Sequence, residues 1–129
     1  PYRRQRQMCI RDRDYIGAVQ GIPVCFDAKE CAADTFSLQN LHPHQVEFMK
    51  NFEKQNGISF LLIYYTHRQK CYYLRFSEMM KYWERMEQGG PKNFKYEELS
   101  PAFFVPAAGG IALHYLVAMQ EDLKERSIR

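Results

Sequence analysis

Apolar residues along the chain cluster into four short segments whose patterning predicts β-strands. Residues 14–19 and 22–29 flank Gln20-Gly21, a dipeptide suited to a tight hairpin turn. Residues 58–66, ISFLLIYYT, are almost continuously apolar, as expected of a strand covered on both faces. After a polar turn, residues 71–76 return as its partner, so the sequence predicts two hairpin-like strand pairs.

Three further segments have helical signals. Pro43 suits the first position of a helix that runs to about Asn56, with Gly57 expected as a left-handed cap. Ser77 is expected to cap a second helix over residues 78–88. A last helix is predicted for residues 111–126.

The predicted order of elements is β-β-α-β-β-α-α, with residues 32–40 as a loop. Alternation of strands and helices favours an α/β domain with a mixed β-sheet flanked by helices. A length of 129 residues suits one domain with one core.

Composition restricts the classes of protein further. A hydrophobic content of 46% indicates a folded chain, and a net charge of +3 permits a nucleic-acid partner without requiring one. No apolar run approaches the ~20 residues that span a bilayer, and no signal peptide is visible, so we expect a cytoplasmic protein. The cysteines lack CxxC spacing and are predicted to be reduced; they are Cys9, Cys25, Cys31 and Cys71.

The first thirteen residues, PYRRQRQMCIRDR, differ from the rest. They are dense in charge, lack an apolar period and resemble translated adapter DNA. We therefore interpret residues 1–13 as a non-native or disordered segment and residues 14–129 as the folded domain. Alternatively, residues 1–13 form a basic arm that contacts phosphates.

The candidate chemistry lies at the first strand pair. Asp27 and Lys29 share one face of their strand, and the hairpin brings Asp14 from the neighbouring strand, in the pattern D-x12-D-x-K. Two carboxylates suit Mg²⁺, and a nearby ammonium can neutralise a phosphate in its transition state. This pattern indicates phosphodiester hydrolysis, although an acid and a lysine at a strand end are more often a solvated edge.

Gln45 strengthens the nuclease interpretation. It lies within the apolar face defined by Val46, Phe48, Met49 and Phe52 on the first predicted helix. A buried amide needs hydrogen-bond partners, so Gln45 either bonds a loop carbonyl or leans over the acids and helps to hold the metal.

A zinc site is the less favoured alternative. It would use His42 and His44 with Cys25 and Cys31, but neither spacing matches a zinc motif. His42 is expected to lie at the helix start instead.

Three stretches together resemble the RecU family of Holliday junction resolvases. They are DYIGAVQGIPVCFDAKE (residues 14–30), FSLQNLHPHQVEFMKNFEKQNGISFLLI (residues 36–63) and MMKYWER (residues 79–85). The resemblance implies a restriction-endonuclease-like, PD-(D/E)xK nuclease fold in an N-terminally truncated family member. It also implies a Mg²⁺-dependent endonuclease that cleaves four-way DNA junctions as a homodimer, with a recombinase as a possible partner.

By this resemblance, Asp14, Asp27 and Lys29 are the catalytic residues, and Asp14, Asp27 and Gln45 hold the metal. The family usually has Glu at the position of Asp27, and a threonine at the position of Asp12. Two alternatives remain: a non-catalytic junction-binding or recombinase-modulating protein, and a PD-(D/E)xK nuclease that acts on duplex DNA.

Basic side chains are the candidate phosphate contacts. They are Lys50, Lys54, Arg68, Lys70, Lys81, Arg85 and Lys92.

Overall fold

A five-stranded mixed sheet forms the centre of the fold. The computed structural model of the protein describes residues 12–105 and 111–128, and the side chains within 16–105 and 118–126. The strands are ordered β1-β2-β4-β5-β7, and a separate two-stranded sheet pairs β3 with β6. Their bounds are β1 Asp12–Val19, β2 Ile22–Cys31, β3 Thr35–Ser37, β4 Ile58–Tyr65, β5 Lys70–Arg75, β6 Asn93–Lys95 and β7 Phe104–Val105.

Three α-helices pack on this sheet. They are α1 Pro43–Lys54, α2 Phe76–Glu87 and α3 Ile111–Ile128. Short 3-10 helices lie at Leu38–Asn40, Tyr96–Glu98 and Pro101–Phe103. The mixed α/β architecture predicted from the sequence is therefore confirmed, and none of the described helices is long and apolar enough to cross a membrane.

The pairing of β1, β2 and β4 decides where the polar residues lie. β1 and β2 are antiparallel, with Asp14 directly opposite Asp27. β2 and β4 are parallel, with Asp27 beside Leu61. The turn between β1 and β2 has positive φ at both Gln20 (52°) and Gly21 (83°), the geometry of the predicted two-residue hairpin.

The core occupies both faces of the sheet. β4 is almost wholly buried, and Phe60 stacks between Phe26 at 4.9 Å and Tyr73 at 4.2 Å. Tyr65, Tyr72 and Tyr73 have no exposed surface and belong to the core. On the face that carries Asp27, α1 covers β4 through a hydrogen bond from Ser59 Oγ to the Met49 carbonyl (3.4 Å).

Several predicted boundaries were wrong for local reasons. The expected loop over 32–40 contains β3 and a 3-10 helix, because Thr35–Ser37 pair with Asn93–Lys95. Ser77 does not cap α2, which begins at Phe76 with Arg75 as its N-cap and no side-chain cap. The left-handed residue after α1 is Asn56 (φ 68°) rather than Gly57, since Asn tolerates this conformation.

Gly57 is needed for space. A Cβ atom there would overlap the Phe52 ring and lie 3.0 Å from the Phe52 carbonyl oxygen. We predict that Gly57→Ala lowers the free energy of unfolding by about 1–3 kcal/mol, because the ring must move. Gly17→Ala is the control, since a Cβ at Gly17 meets nothing within 4 Å. Urea unfolding that finds both variants equally stable would contradict this packing.

Within the described part of the chain, Cys25, Cys31 and Cys71 are buried, and no disulfide joins them to one another. Burial raises the pKa of the Cys71 thiol to about 11. Cys9 lies outside the described residues.

An ionic network near the start of β4 joins α1 and α3. The Glu53 carboxylate on α1 accepts hydrogen bonds from Ser59 N (2.7 Å) and Ser59 Oγ (2.9 Å). Arg126 on α3 donates to Glu53 (2.6 and 3.1 Å) and to Asp122 (2.9 and 3.3 Å). Tyr73 donates to Asp122 at 2.6 Å, so α1, β4, β5 and α3 are held by one set of contacts.

Candidate active site

Asp27 is a buried carboxylate in the middle of the sheet. It lies on β2 between β1 and β4, and only 2% of the residue is exposed. Burial of an acid at this depth is costly unless it is paired and hydrogen-bonded. Asp27 is therefore not part of a solvated strand edge. It is a buried carboxylate that specific partners must hold.

Lys29 is one of those partners. Two residues after Asp27 on the same face of β2, it places its Nζ 2.9 Å from Asp27 Oδ2. The Lys29 side chain is 11% exposed, and that of Asp27 is 3% exposed. Because little water reaches this pair, its electrostatic interaction is stronger than that of an exposed ion pair. The two opposite charges that the sequence placed side by side are thus in direct contact.

Gln45 is the second partner, and α1 brings it there. The helix begins at Pro43, and Nδ1 of His42 caps it by accepting a hydrogen bond from His44 N at 3.1 Å. Gln45 in the first turn donates from Nε2 to Asp27 Oδ2 at 2.6 Å. Of the two expectations for Gln45, the structure supports a position over the acid rather than a bond to a loop carbonyl.

For Asp14, the structure describes the backbone position only. β1 sets it directly opposite Asp27, and it sets Asp12 opposite Lys29. Residues opposite each other in an antiparallel pair lie on the same face of the sheet. The side chains of Asp12 and Asp14 lie outside the described part of the structure, so the role of Asp14 stays a prediction.

The donor set suits a hard divalent cation. Mg²⁺ prefers carboxylate and amide oxygens, and Asp27, Gln45 and the position of Asp14 meet at one place. Within residues 16–105 and 118–126, no three His, Cys, Asp or Glu side chains gather into a metal cluster.

The zinc alternative finds no support among the described residues. His42 caps α1 with a ring nitrogen, and the Cys31 thiol donates to the Ala33 carbonyl oxygen at 3.0 Å. His42 and His44 stack on each other with ring centroids 4.7 Å apart. These residues serve the helix start and the loop after β2.

The candidate phosphate contacts differ in their surroundings. Arg68 forms a two-point ion pair with Asp34 (2.8 and 2.7 Å) and lies 4.1 Å above the Tyr96 ring. Hydrogen bonds from Arg68 and His67 hold the pKa of Asp34 well below its usual range. Arg85 pairs with Glu98 at 2.8 Å. Lysines at the surface are Lys54, Lys70, Lys81 and Lys92, while Lys50 is half-buried.

Two features of the site were not foreseen from the sequence. Phe48, expected on the buried face of α1, is 49% exposed beside Gln45. The second is Glu53, which anchors the far end of α1 to Ser59 and Arg126. The sequence signal for this contact was the position of Glu53, an acid among the apolar positions of an amphipathic helix.

A mixed sheet flanked by helices, with an acid and a lysine two residues apart on its second strand and an amide from the following helix beside them, is consistent with a restriction-endonuclease-like nuclease fold. A family comparison gives the narrower identification. The model of the RecU family, described as recombination protein U, matches residues 5–121. The chain belongs to the RecU family. The match includes residues 5–13, whose interpretation as a non-native segment stays a prediction.

Three relatives named Holliday junction resolvase RecU support this family. The protein from Staphylococcus epidermidis is 36% identical over 116 residues, which cover 88% of this chain and 56% of the relative. That from Levilactobacillus brevis is 35% identical over 112 residues (85% and 56%). That from Bacillus pumilus is 41% identical over 90 residues (69% and 43%). The chain thus spans about half the length of the relatives that it matches.

Proposed function

We propose that this chain is the nuclease domain of a Mg²⁺-dependent endonuclease that cleaves four-way DNA junctions in homologous recombination and DNA repair. The observation that carries the proposal is the convergence of Lys29 Nζ and Gln45 Nε2 on one oxygen of the buried Asp27. The names of the RecU relatives, which are Holliday junction resolvases, support a four-way junction as the substrate.

Each residue has a separate task in this reaction. Asp27 and Asp14 are the metal-binding acids, and a bound Mg²⁺ would polarise the phosphate and lower the pKa of an attacking water. Lys29 stabilises the negative charge that develops on the phosphate in the transition state. Gln45 orients the Asp27 carboxylate through its hydrogen bond and offers an amide oxygen of the kind that Mg²⁺ accepts.

Asp27 stands where the family usually has Glu. The shorter side chain is compatible with metal binding when neighbouring groups reach its carboxylate. Lys29 Nζ lies 2.9 Å and Gln45 Nε2 lies 2.6 Å from the Asp27 carboxylate. Both partners meet the same oxygen, Oδ2. This arrangement supports a site in which Asp27 keeps the role of the acid, and it argues against a site that has lost its function.

The finer properties follow from the same family. We propose that the protein acts as a homodimer with one active site in each subunit, so that paired strands are cut symmetrically. We also propose a cytoplasmic location and contact with a recombinase, in keeping with a role in recombination.

A cleavage assay tests the proposal. Incubation of the chain with a synthetic four-way junction and Mg²⁺ should give paired nicks, and Asp27→Asn should abolish them while the thermal unfolding of the protein remains cooperative. Unchanged nicking by Asp27→Asn would refute the assigned site. Equal cutting of the junction and of a linear duplex would indicate a nuclease that acts on duplex DNA. Junction binding without cleavage in Mg²⁺ and in Mn²⁺ would indicate a non-catalytic binding protein.

A further inference from the structure

A row of aromatic rings follows the outer edge of α1. His42 and His44 stack with centroids 4.7 Å apart, and Phe48 and Phe52 are 5.9 Å apart. His44, Phe48 and Phe52 are spaced by four residues, so they lie along one side of the helix. His42 and His44 are exposed, whereas Phe52 turns into the protein beside Gly57.

Phe48 is unusual within this row because 49% of it is exposed. Single exposed apolar side chains are common at protein surfaces, so the exposure of Phe48 matters here only because of its position next to Gln45 on α1. Among the described side chains, Ile16 (57%) is the other large apolar residue with comparable exposure. Ile16 lies on β1 opposite Cys25, two residues from Asp14.

The row lies beside the candidate active site. Phe48 follows Gln45 by three residues, which places it about one turn further along α1 and about 60° around the helix. Gln45 is in contact with Asp27, while Phe48 is turned from that contact towards solvent. Phe48 is thus an exposed aromatic ring about one helical turn from a residue that contacts the candidate active site.

Charge also favours a nucleic acid on this edge. The row begins at the N-terminal end of α1, where the helix dipole is positive and attracts phosphates. His42 and His44 at that end carry no carboxylate partner among the described contacts. Aromatic faces of this kind bind unpaired bases by stacking, with little dependence on base identity.

We propose that the Phe48 ring stacks on a nucleobase that is unstacked at the branch point, next to the phosphate held at Asp27. The inference rests on the proposed function, because it deepens the recognition of the branched substrate at the same site. A continuous duplex keeps its bases stacked and offers no free face, so this contact distinguishes a branch point from ordinary DNA.

The alternative partner that could cover the Phe48 ring is a second copy of the chain. A stable protein interface buries about 800 Å² on each partner. A half-exposed phenylalanine provides only about 100 Å² of apolar surface. The exposed area thus suits one flat base better than a protein surface.

The experiment uses Phe48→Trp as a fluorescent reporter, in Ca²⁺ buffer to prevent cleavage. The other tryptophan, Trp83, is only 7% exposed. Binding of a four-way junction should quench the emission of the new side chain, and binding of a linear duplex of the same sequence should leave it unchanged. Phe48→Leu should weaken junction binding about tenfold, while Phe48→Tyr should retain it. Ile16→Ala is the matched control, since it removes exposed apolar surface but no ring.

The outcomes separate the inference from the proposed function. Junction binding without quenching, or equal affinity of Phe48→Leu and the unsubstituted chain, would overturn the stacking contact while leaving the nuclease proposal intact. A change in sedimentation of Phe48→Leu without DNA would assign the ring to a second copy, which also overturns it. Failure of the unsubstituted chain to bind any junction would contradict the proposed function and the inference together.

Discussion

Replacement of Lys29 by methionine is expected to lower the rate of junction cleavage by about 10²–10³-fold, the usual effect of removing one group that stabilises developing charge. The ammonium lies 2.9 Å from Asp27 Oδ2 in a site that is nearly closed to water. No other cation is in contact with Asp27 among the described ion pairs. Single-turnover cleavage of a labelled junction at saturating Mg²⁺ measures this effect.

Two controls make the result for Lys29 specific. Lys124→Met removes a lysine of α3 whose side chain is 73% exposed, and it should leave the rate unchanged. Junction affinity of Lys29→Met should also change little, because the loss is in the transition state. If Lys29→Met cuts as fast as Lys124→Met, Lys29 is a structural partner of Asp27 and the proposed mechanism is wrong.

Replacement of Arg126 by methionine is expected to lower the free energy of unfolding by about 3–5 kcal/mol, because it leaves buried carboxylates without a cation. Arg126 bonds both Glu53 and Asp122, and Asp122 is only 1% exposed. The same contacts hold the pKa of the Arg126 guanidinium above its usual range despite its burial. Urea unfolding monitored by circular dichroism measures the loss.

The matched control for Arg126 lies two residues earlier on α3. Lys124 forms an ion pair with Glu121 at 3.4 Å, and 73% of its side chain is exposed. Lys124→Met should change stability by less than about 0.5 kcal/mol. Equal stability of the two variants would show that the network between α1 and α3 contributes nothing.

Local patterns were sufficient for the elements that build the site. The hairpin at Gln20-Gly21, the buried strand β4 and the helix start at Pro43 each depend on neighbouring residues, and each formed as predicted. Because these three elements fix β1, β2 and α1, the contact between Gln45 and Asp27 could be anticipated.

The missed features depend on residues that are distant in sequence. β3, β6 and β7 are two or three residues long, too short for a periodic signal, and they exist only through their pairing. The Arg126–Glu53 bond joins residues separated by 73 positions. Phe48 fits the apolar pattern of α1, and its exposure became visible only once the helix was placed on the sheet.

Anomalous X-ray diffraction from crystals soaked in Mn²⁺ would locate the cation directly. We expect a peak between β1 and β2 that is bonded to carboxylate oxygens from residues 14 and 27, with the amide of residue 45 beside it. A strong peak elsewhere, or residue 14 turned to the opposite side of the sheet from residue 27, would contradict a shared cation at this place.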